Sequence, residues 1–195
     1  MTTTFSRREI ASLSEPEHGA GKAELRPAET GGYAFRRVVQ ADLPMVQRWL
    51  ATPEVRRWWG DPDEQIAILE EDLSDPRMSM WIVSRHGRPF AYVQDYDPLS
   101  WGIRAFDVPA GARGLDPFIG EPEMLNRGHG SAFLRTHVDR LFAGGVPAAC
   151  IDPDPKNARA IRAYEKAGFG RVGETLDSEG KTVLLMLRFA PQGQE

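Results

Sequence analysis

A chain of 195 residues is long enough for one domain with a substantial core and too short for two comfortable ones. Its 41% hydrophobic and 27% charged content is that of a globular protein, and no apolar run approaches the ~20 residues of a membrane span. A net charge of −4 points away from nucleic acid and toward a cationic partner, and the single cysteine, Cys150, excludes an internal disulfide or a cysteine-based zinc cluster.

Residues 1–32 are polar, end in Gly31-Gly32 and carry no sustained apolar period, so they are expected to form a disordered N-terminal tail. They lack the apolar centre of a signal peptide, which makes the cytoplasm the expected location. The folded domain is placed at 33–190, with 191–195 as a second tail. Tyr33 to Val39 alternates as a first strand, and Asp42 is the expected N-cap of a helix carrying Leu43, Val46, Trp49 and Leu50 that stops near Thr52-Pro53. Trp58 and Trp59 then stand against a turn, either as core filler or as an aromatic wall beside a substrate. Asp63 to Leu73 reads as a helix with Ile66, Leu69 and Leu73 inward and Glu64, Glu70, Glu71 and Asp72 in water.

Met80–Ser84 and Pro89–Tyr96 form a hairpin with His86 at its tip. After an irregular stretch over 101–114, the apolar run Leu115 to Gly120 holds one acid. Asp116 must face water or bind something, because an unpaired buried carboxylate is costly. Gly128 and Gly130 precede a helix with Phe133, Leu134, Val138, Leu141 and Phe142 on one face, and the free amides of such a helix start attract phosphate. A strand over Ala148–Ile151, a helix from Asn157 ended by Gly168, and a final hairpin around 177–180 complete the order β-α-α-β-β-β-α-β-α-β-β, a mixed α/β layer. The histidines at 18, 86, 129 and 137 are scattered, so neither a metal site nor a Ser-His-Asp arrangement is expected. His129 is taken as a loop residue facing away or toward solvent.

Two motifs in this order, Arg127-Gly128-His129-Gly130-Ser131 and Asn157-Ala158-Arg159-Ala160-Ile161-Arg162-Ala163-Tyr164-Glu165-Lys166-Ala167-Gly168-Phe169, resemble the GCN5-related N-acetyltransferase (GNAT) superfamily over residues 33–189. Within it, Trp58-Trp59-Gly60, Arg113-Gly114-Leu115-Asp116 and Asp152-Pro153 look like the aminoglycoside 6'-N-acetyltransferases. Leu125 stands where the superfamily's usual loop begins with Gln or Arg, a departure this branch shares. The resemblance implies a GNAT fold, a central, mostly antiparallel mixed sheet splayed at the acetyl-CoA site and flanked by helices. It implies that the amides of Asn126, Arg127, Gly128, His129, Gly130 and Ser131 cradle the pyrophosphate of coenzyme A. Phe118 or Ile119 would supply an oxyanion donor, and Asn157, Ala160 and Tyr164 would lie on the helix beside the coenzyme.

The same resemblance makes Asp116 the acid beside the attacking amine and Tyr164 the proton donor to the departing thiolate. Asp152 would help hold a cationic substrate, with Trp58 or Trp59 against a sugar ring. Further acids, among them Asp95, Asp97, Asp107 and Asp154, fall in segments that could line the acceptor side. The expected activity is transfer of acetyl from acetyl-CoA to a primary amine of a polycationic small molecule, by direct attack in a ternary complex and without metal. No nucleic-acid or membrane partner is expected, and the protein is taken as a monomer or homodimer. Two other readings stay open: an acyltransferase for another small amine such as a siderophore hydroxylysine precursor, and a non-catalytic acetyl-CoA-binding sensor.

Overall fold

A computed structural model describes residues 32–99, 107–177 and 180–191. Apart from Gly32 and Pro191, the two expected tails fall outside the described residues, as does the segment 100–106. The chain runs β1 (Ala34–Arg37), α1 (Leu43–Leu50), α2 (Pro53–Trp59), α3 (Pro62–Asp72), β2 (Met78–Arg85), β3 (Arg88–Tyr96), β4 (Arg113–Ile119), α4 (His129–Ala143), β5 (Ala148–Ile151), α5 (Ala158–Lys166), β6 (Gly170–Leu176) and β7 (Thr182–Phe189). The strands form one seven-stranded sheet in the order β1-β2-β3-β4-β5-β7-β6. Neighbours are antiparallel except β4 and β5, which run parallel. Among the described residues no helix is long and apolar enough to cross a membrane.

Each face of the sheet carries its own core. Period-two alternation sends Trp81 and Val83 of β2 to one side, where they meet Leu134 and Val138 of α4 and Ile161 and Tyr164 of α5. Met80 and Ile82 face the other side and pack with Val46 and Leu50 of α1, Val55 and Trp59 of α2 and Leu69 of α3.

Three local expectations are corrected. The two tryptophans lie on a helix, α2, rather than against a turn: Pro53, which ends α1, occupies the first helical position of α2 behind an extended Thr52, and Gly60 at φ 89° stops it. Asp42 does not cap α1 with its side chain. It turns back to accept two hydrogen bonds from Arg36, at 2.6 and 2.7 Å, and one from the Val39 amide. Asp72, expected in water, is 1% exposed. It stands three residues after Leu69 on the same face of α3, which packs on α1, whereas Glu64, Glu70 and Glu71 do face solvent.

Candidate active site

The parallel pairing of β4 with β5 lasts for two residues, Arg113↔Ala149 and Gly114↔Cys150, and then the strands part. Gly120 donates its amide to the Phe90 carbonyl at 2.9 Å, and Asp116 and Phe118 sit opposite Gln94 and Tyr92 of β3. Amides alternate sides along an antiparallel strand, so those of Asp116 and Phe118 face β3 with that of Gly120, while the Ile119 amide faces the gap beside β5. Pro117, which has no N–H, falls where that gap removes the need for one. Of the two amides expected as oxyanion donors, the Ile119 amide is thus directed into the opening and the Phe118 amide into the sheet.

A cleft of about 300 Å³ extends from this gap. Its walls come from Trp58 and Trp59 of α2, Pro117, Phe118 and Ile119 of β4, the loop over Leu125, Asn126, Gly128, Gly130 and Ser131, and Asn157, Ala160 and Tyr164 on and before α5. The loop is built by local backbone chemistry. Asn126 at φ 58° and Gly128 at φ 80° are both left-handed, a conformation these two residue types tolerate best. The first bond of α4 runs from the Ala132 amide to the Gly128 carbonyl, which leaves the amides of His129, Gly130 and Ser131 without an acceptor inside the helix. With the positive end of the α4 dipole behind them, they form an anion cradle. Asn157 caps α5 by accepting the Ala160 amide at 3.1 Å.

The acids divide by face. Asp116 is 2% exposed and accepts from Gln94 Nε2 at 2.9 Å, while Gln94 Oε1 accepts from the Tyr92 hydroxyl at 2.8 Å. Asp116 Oδ1 has no hydrogen-bond partner, and neither does Asp152 Oδ2. Burial pushes Asp116 up to about 7 against the Gln94 hydrogen bond, and burial with the charges of Asp116 and Asp177 pushes Asp152 well above the carboxylate range. The two carboxyls therefore sense one another across the gap. Gly114 lies beside them because a Cβ there would stand 2.6 Å from the ring of Tyr96. Asp95, one residue from Gln94, points to the opposite face and binds Trp81, Arg113 and His137, so it does not line the acceptor side.

Tyr164 is buried at the cleft wall. Burial, then the charges of Asp116 and Asp152, raise its phenol far above the ordinary value, so it stays protonated and able to donate. Trp59 is wedged edge-on against Tyr92 and Phe118, whereas Trp58 is half-buried with Arg57 over its ring. Of the two directions expected for His129, away or toward solvent, the ring takes the first. It is 7% exposed and sits under the loop, with Tyr33 Oη 2.8 Å from Nδ1 and Arg85 3.0 Å from Nε2. A guanidinium only donates, so the ring nitrogen that Arg85 engages is the acceptor; Arg85 Nη1 stands 3.0 Å from Nε2 and 3.4 Å from Nδ1. Burial, with Arg85 and Arg127 nearby, lowers its pKa and keeps the ring neutral.

Residues 38–176 match the acetyltransferase (GNAT) domain family. The aminoglycoside N(6')-acetyltransferase type 1 of Klebsiella pneumoniae is 32% identical over 178 residues, 86% of this chain and 89% of that protein. The chain belongs to the GNAT acetyltransferase family. Among solved structures, AAC(6')-Ib with coenzyme A and kanamycin superposes with a TM-score of 0.70 at 30% identity, covering 80% of this chain and 94% of that one. AAC(6')-Ib with ribostamycin and coenzyme A gives 0.73 at 30% identity over 81% and 93%.

In a GNAT acetyltransferase the acyl donor is acetyl-CoA, an anionic thioester, and the polarity of the cleft suits it. The loop amides, with Arg159, Arg162 and Lys166 of α5, provide the positive wall. Two residues placed here go unmarked in the sequence, Gln94 against Asp116 and Glu54 at the cleft wall. Gln94 was unremarkable as a strand residue until the register set it against Asp116, and Glu54 was hidden because α2 itself was not anticipated. The Thr52-Pro53 pair, a standard helix start, was the signal that would have found it.

Proposed function

We propose that the protein acetylates the 6'-amine of an aminoglycoside by direct attack on acetyl-CoA in a ternary complex. The observation that carries this reading is the pair of buried carboxyls, Asp116 and Asp152, each with an unpartnered oxygen and both near enough for their charges to raise the phenol of Tyr164. A polycation satisfies such a pair, whereas a neutral acceptor leaves it uncompensated. The relatives with this fold act on aminoglycosides by name, which supports the same acceptor.

The chemistry follows from residue type. The substrate ammonium gives one proton to the Asp116 carboxylate, and the freed lone pair forms the C–N bond to the thioester carbon. The Ile119 amide donates a hydrogen bond to the oxygen as negative charge gathers there. As the C–S bond breaks, the Tyr164 hydroxyl passes a proton to sulfur. The second proton of the amine restores the phenol, so one proton is released per turnover. Trp58 offers an apolar ring face to the sugar, and the amides of His129, Gly130 and Ser131 hold the pyrophosphate.

The test is thiol release from acetyl-CoA by the purified protein with kanamycin, followed by location of the acetyl group in the product by NMR. Acetylation at the 6'-nitrogen is expected. Release only with hydroxylysine-type amines would assign a different acceptor, and coenzyme binding without turnover on any amine would make the domain a sensor. Tyr164→Phe is expected to lower kcat about 10- to 100-fold with KM for acetyl-CoA nearly unchanged, because general-acid help is lost while the ring still packs. An unchanged kcat would remove Tyr164 from the proton path.

A further inference from the structure

Among the described residues that line the cleft, Glu54 is the one carboxylate. Its Oε2 is buried and has no hydrogen-bond partner. It sits on α2 one turn before Trp58, so the acid and the half-buried indole share a helix face, and both border the cleft. Val55 and Trp59 of the same helix pack with Tyr92 and Phe118, on the face of the sheet that also carries Gln94 and Asp116. The opposite wall, on α5, bears Arg159, Arg162 and Lys166. The cleft is therefore polarised: cations and free amides stand where an anionic donor lies, and Glu54 stands on the facing wall, apart from the buried pair Asp116 and Asp152, which are not in its lining. A carboxylate oxygen with no hydrogen-bond partner among the described residues is open to a donor on what binds there.

We propose that Glu54 is a specificity-determining residue that binds a second ammonium group of the acceptor, while Trp58 covers the sugar that carries the reacting amine. This rests on the acceptor reading above and adds to it the requirement for at least two amines. Asp116 handles the amine that reacts, and Glu54 selects for substrates with another charge elsewhere. Its contribution belongs to binding rather than to chemistry, since it donates and accepts no proton in the transfer.

The experiment compares wild type with Glu54→Gln, an isosteric change on a partly exposed residue, using two acceptors over concentrations that span KM. Kanamycin has several amines, and 6-amino-6-deoxyglucose has one. For kanamycin, kcat/KM is expected to fall about 10- to 100-fold, the range of a lost hydrogen bond to a charged partner. The fall should lie in KM with kcat kept. For the monoamine the variant and wild type should be alike, and KM for acetyl-CoA should be unchanged in both. An equal loss with both acceptors, or a rise in KM for acetyl-CoA, would overturn the assignment and place Glu54 against the donor. Wild-type protein that releases no thiol with kanamycin would instead bring down the acceptor reading, and this proposal with it.

Discussion

Replacing Asp116 with Asn is expected to reduce kcat/KM for an aminoglycoside by at least about 100-fold, the lower end of what a positioned general base contributes. The coenzyme cradle should still bind acetyl-CoA, because it is made of main-chain amides on another element. The same substitution should stabilise the free protein, by an amount that grows as pH rises from about 4 and levels off above about 7. Asp116 titrates at 3.8 when unfolded and is pushed up to about 7 in the fold by burial. Below 3.8 it is protonated in both states and has no effect. As pH rises from 3.8 through about 7, the unfolded chain ionises first, so the folded state loses relative stability, by on the order of 4 kcal/mol once both are ionised. Asparagine removes that loss and can still accept from Gln94. The melting temperature of the variant should match wild type near pH 4 and exceed it by several degrees at pH 8. A difference that does not change with pH would mean that Asp116 is not a strained acid. In wild type, a bound ammonium should favour the ionised carboxylate, so kanamycin binding near pH 7 should release protons, visible as a buffer-dependent heat in calorimetry.

Asp95→Ala is expected to have the largest effect on stability, on the order of 3–5 kcal/mol, because it removes the one anion that the described residues bring to a buried ion network. Asp95 accepts from Trp81 Nε1 at 2.8 Å, from Arg113 Nε at 2.8 Å and from His137 Nε2 at 3.2 Å, and Arg113 also reaches its carbonyl at 2.7 Å. Burial alone would raise this carboxyl, but the hydrogen bond and charge of His137, the charge of Arg113 and the Trp81 N–H outweigh it and hold it at about 2. The sign is thus opposite to that of Asp116: the contribution is present above the unfolded value of 3.8 and is lost as pH falls through about 2. Urea unfolding at pH 7 should show a lowered midpoint, and the deficit should shrink only in strong acid. A loss under about 1 kcal/mol would mean that the surrounding cations are satisfied without it. The network ties β2, β3, β4 and α4 together beside the two residues where β4 still pairs with β5. It therefore holds closed the base of the gap in which Asp116 works.

Asp95 on β3 and Asp116 on the neighbouring strand β4 thus have contrary roles, and their order in the chain carries no mark of it. Asp116 could be singled out because it interrupts an apolar run. Asp95 looked no different from several surface acids, and its partners lie 14 to 42 residues away along the chain. His129 shows the same limit from the other side. Its place in a glycine loop left the ring's direction open between away and toward solvent, and Tyr33 and Arg85, 96 and 44 residues distant, draw it under the helix start.

What the chain determined by itself is whatever a few contiguous residues settle through backbone geometry and period. The glycine loop feeding α4, the stop at Gly168, the hairpin at His86 and the inward stripes of the helices are of this kind, and they suffice to recognise an acetyltransferase domain. The tertiary structure alone decided which acid meets which donor. Strand register put Gln94 on Asp116, the parting of β4 and β5 exposed the Ile119 amide, and α2 brought Glu54 to the cleft. A carboxyl's charge, and so its function, depends on how much water is removed from it and which distant groups replace that water, and no local stretch of sequence encodes either.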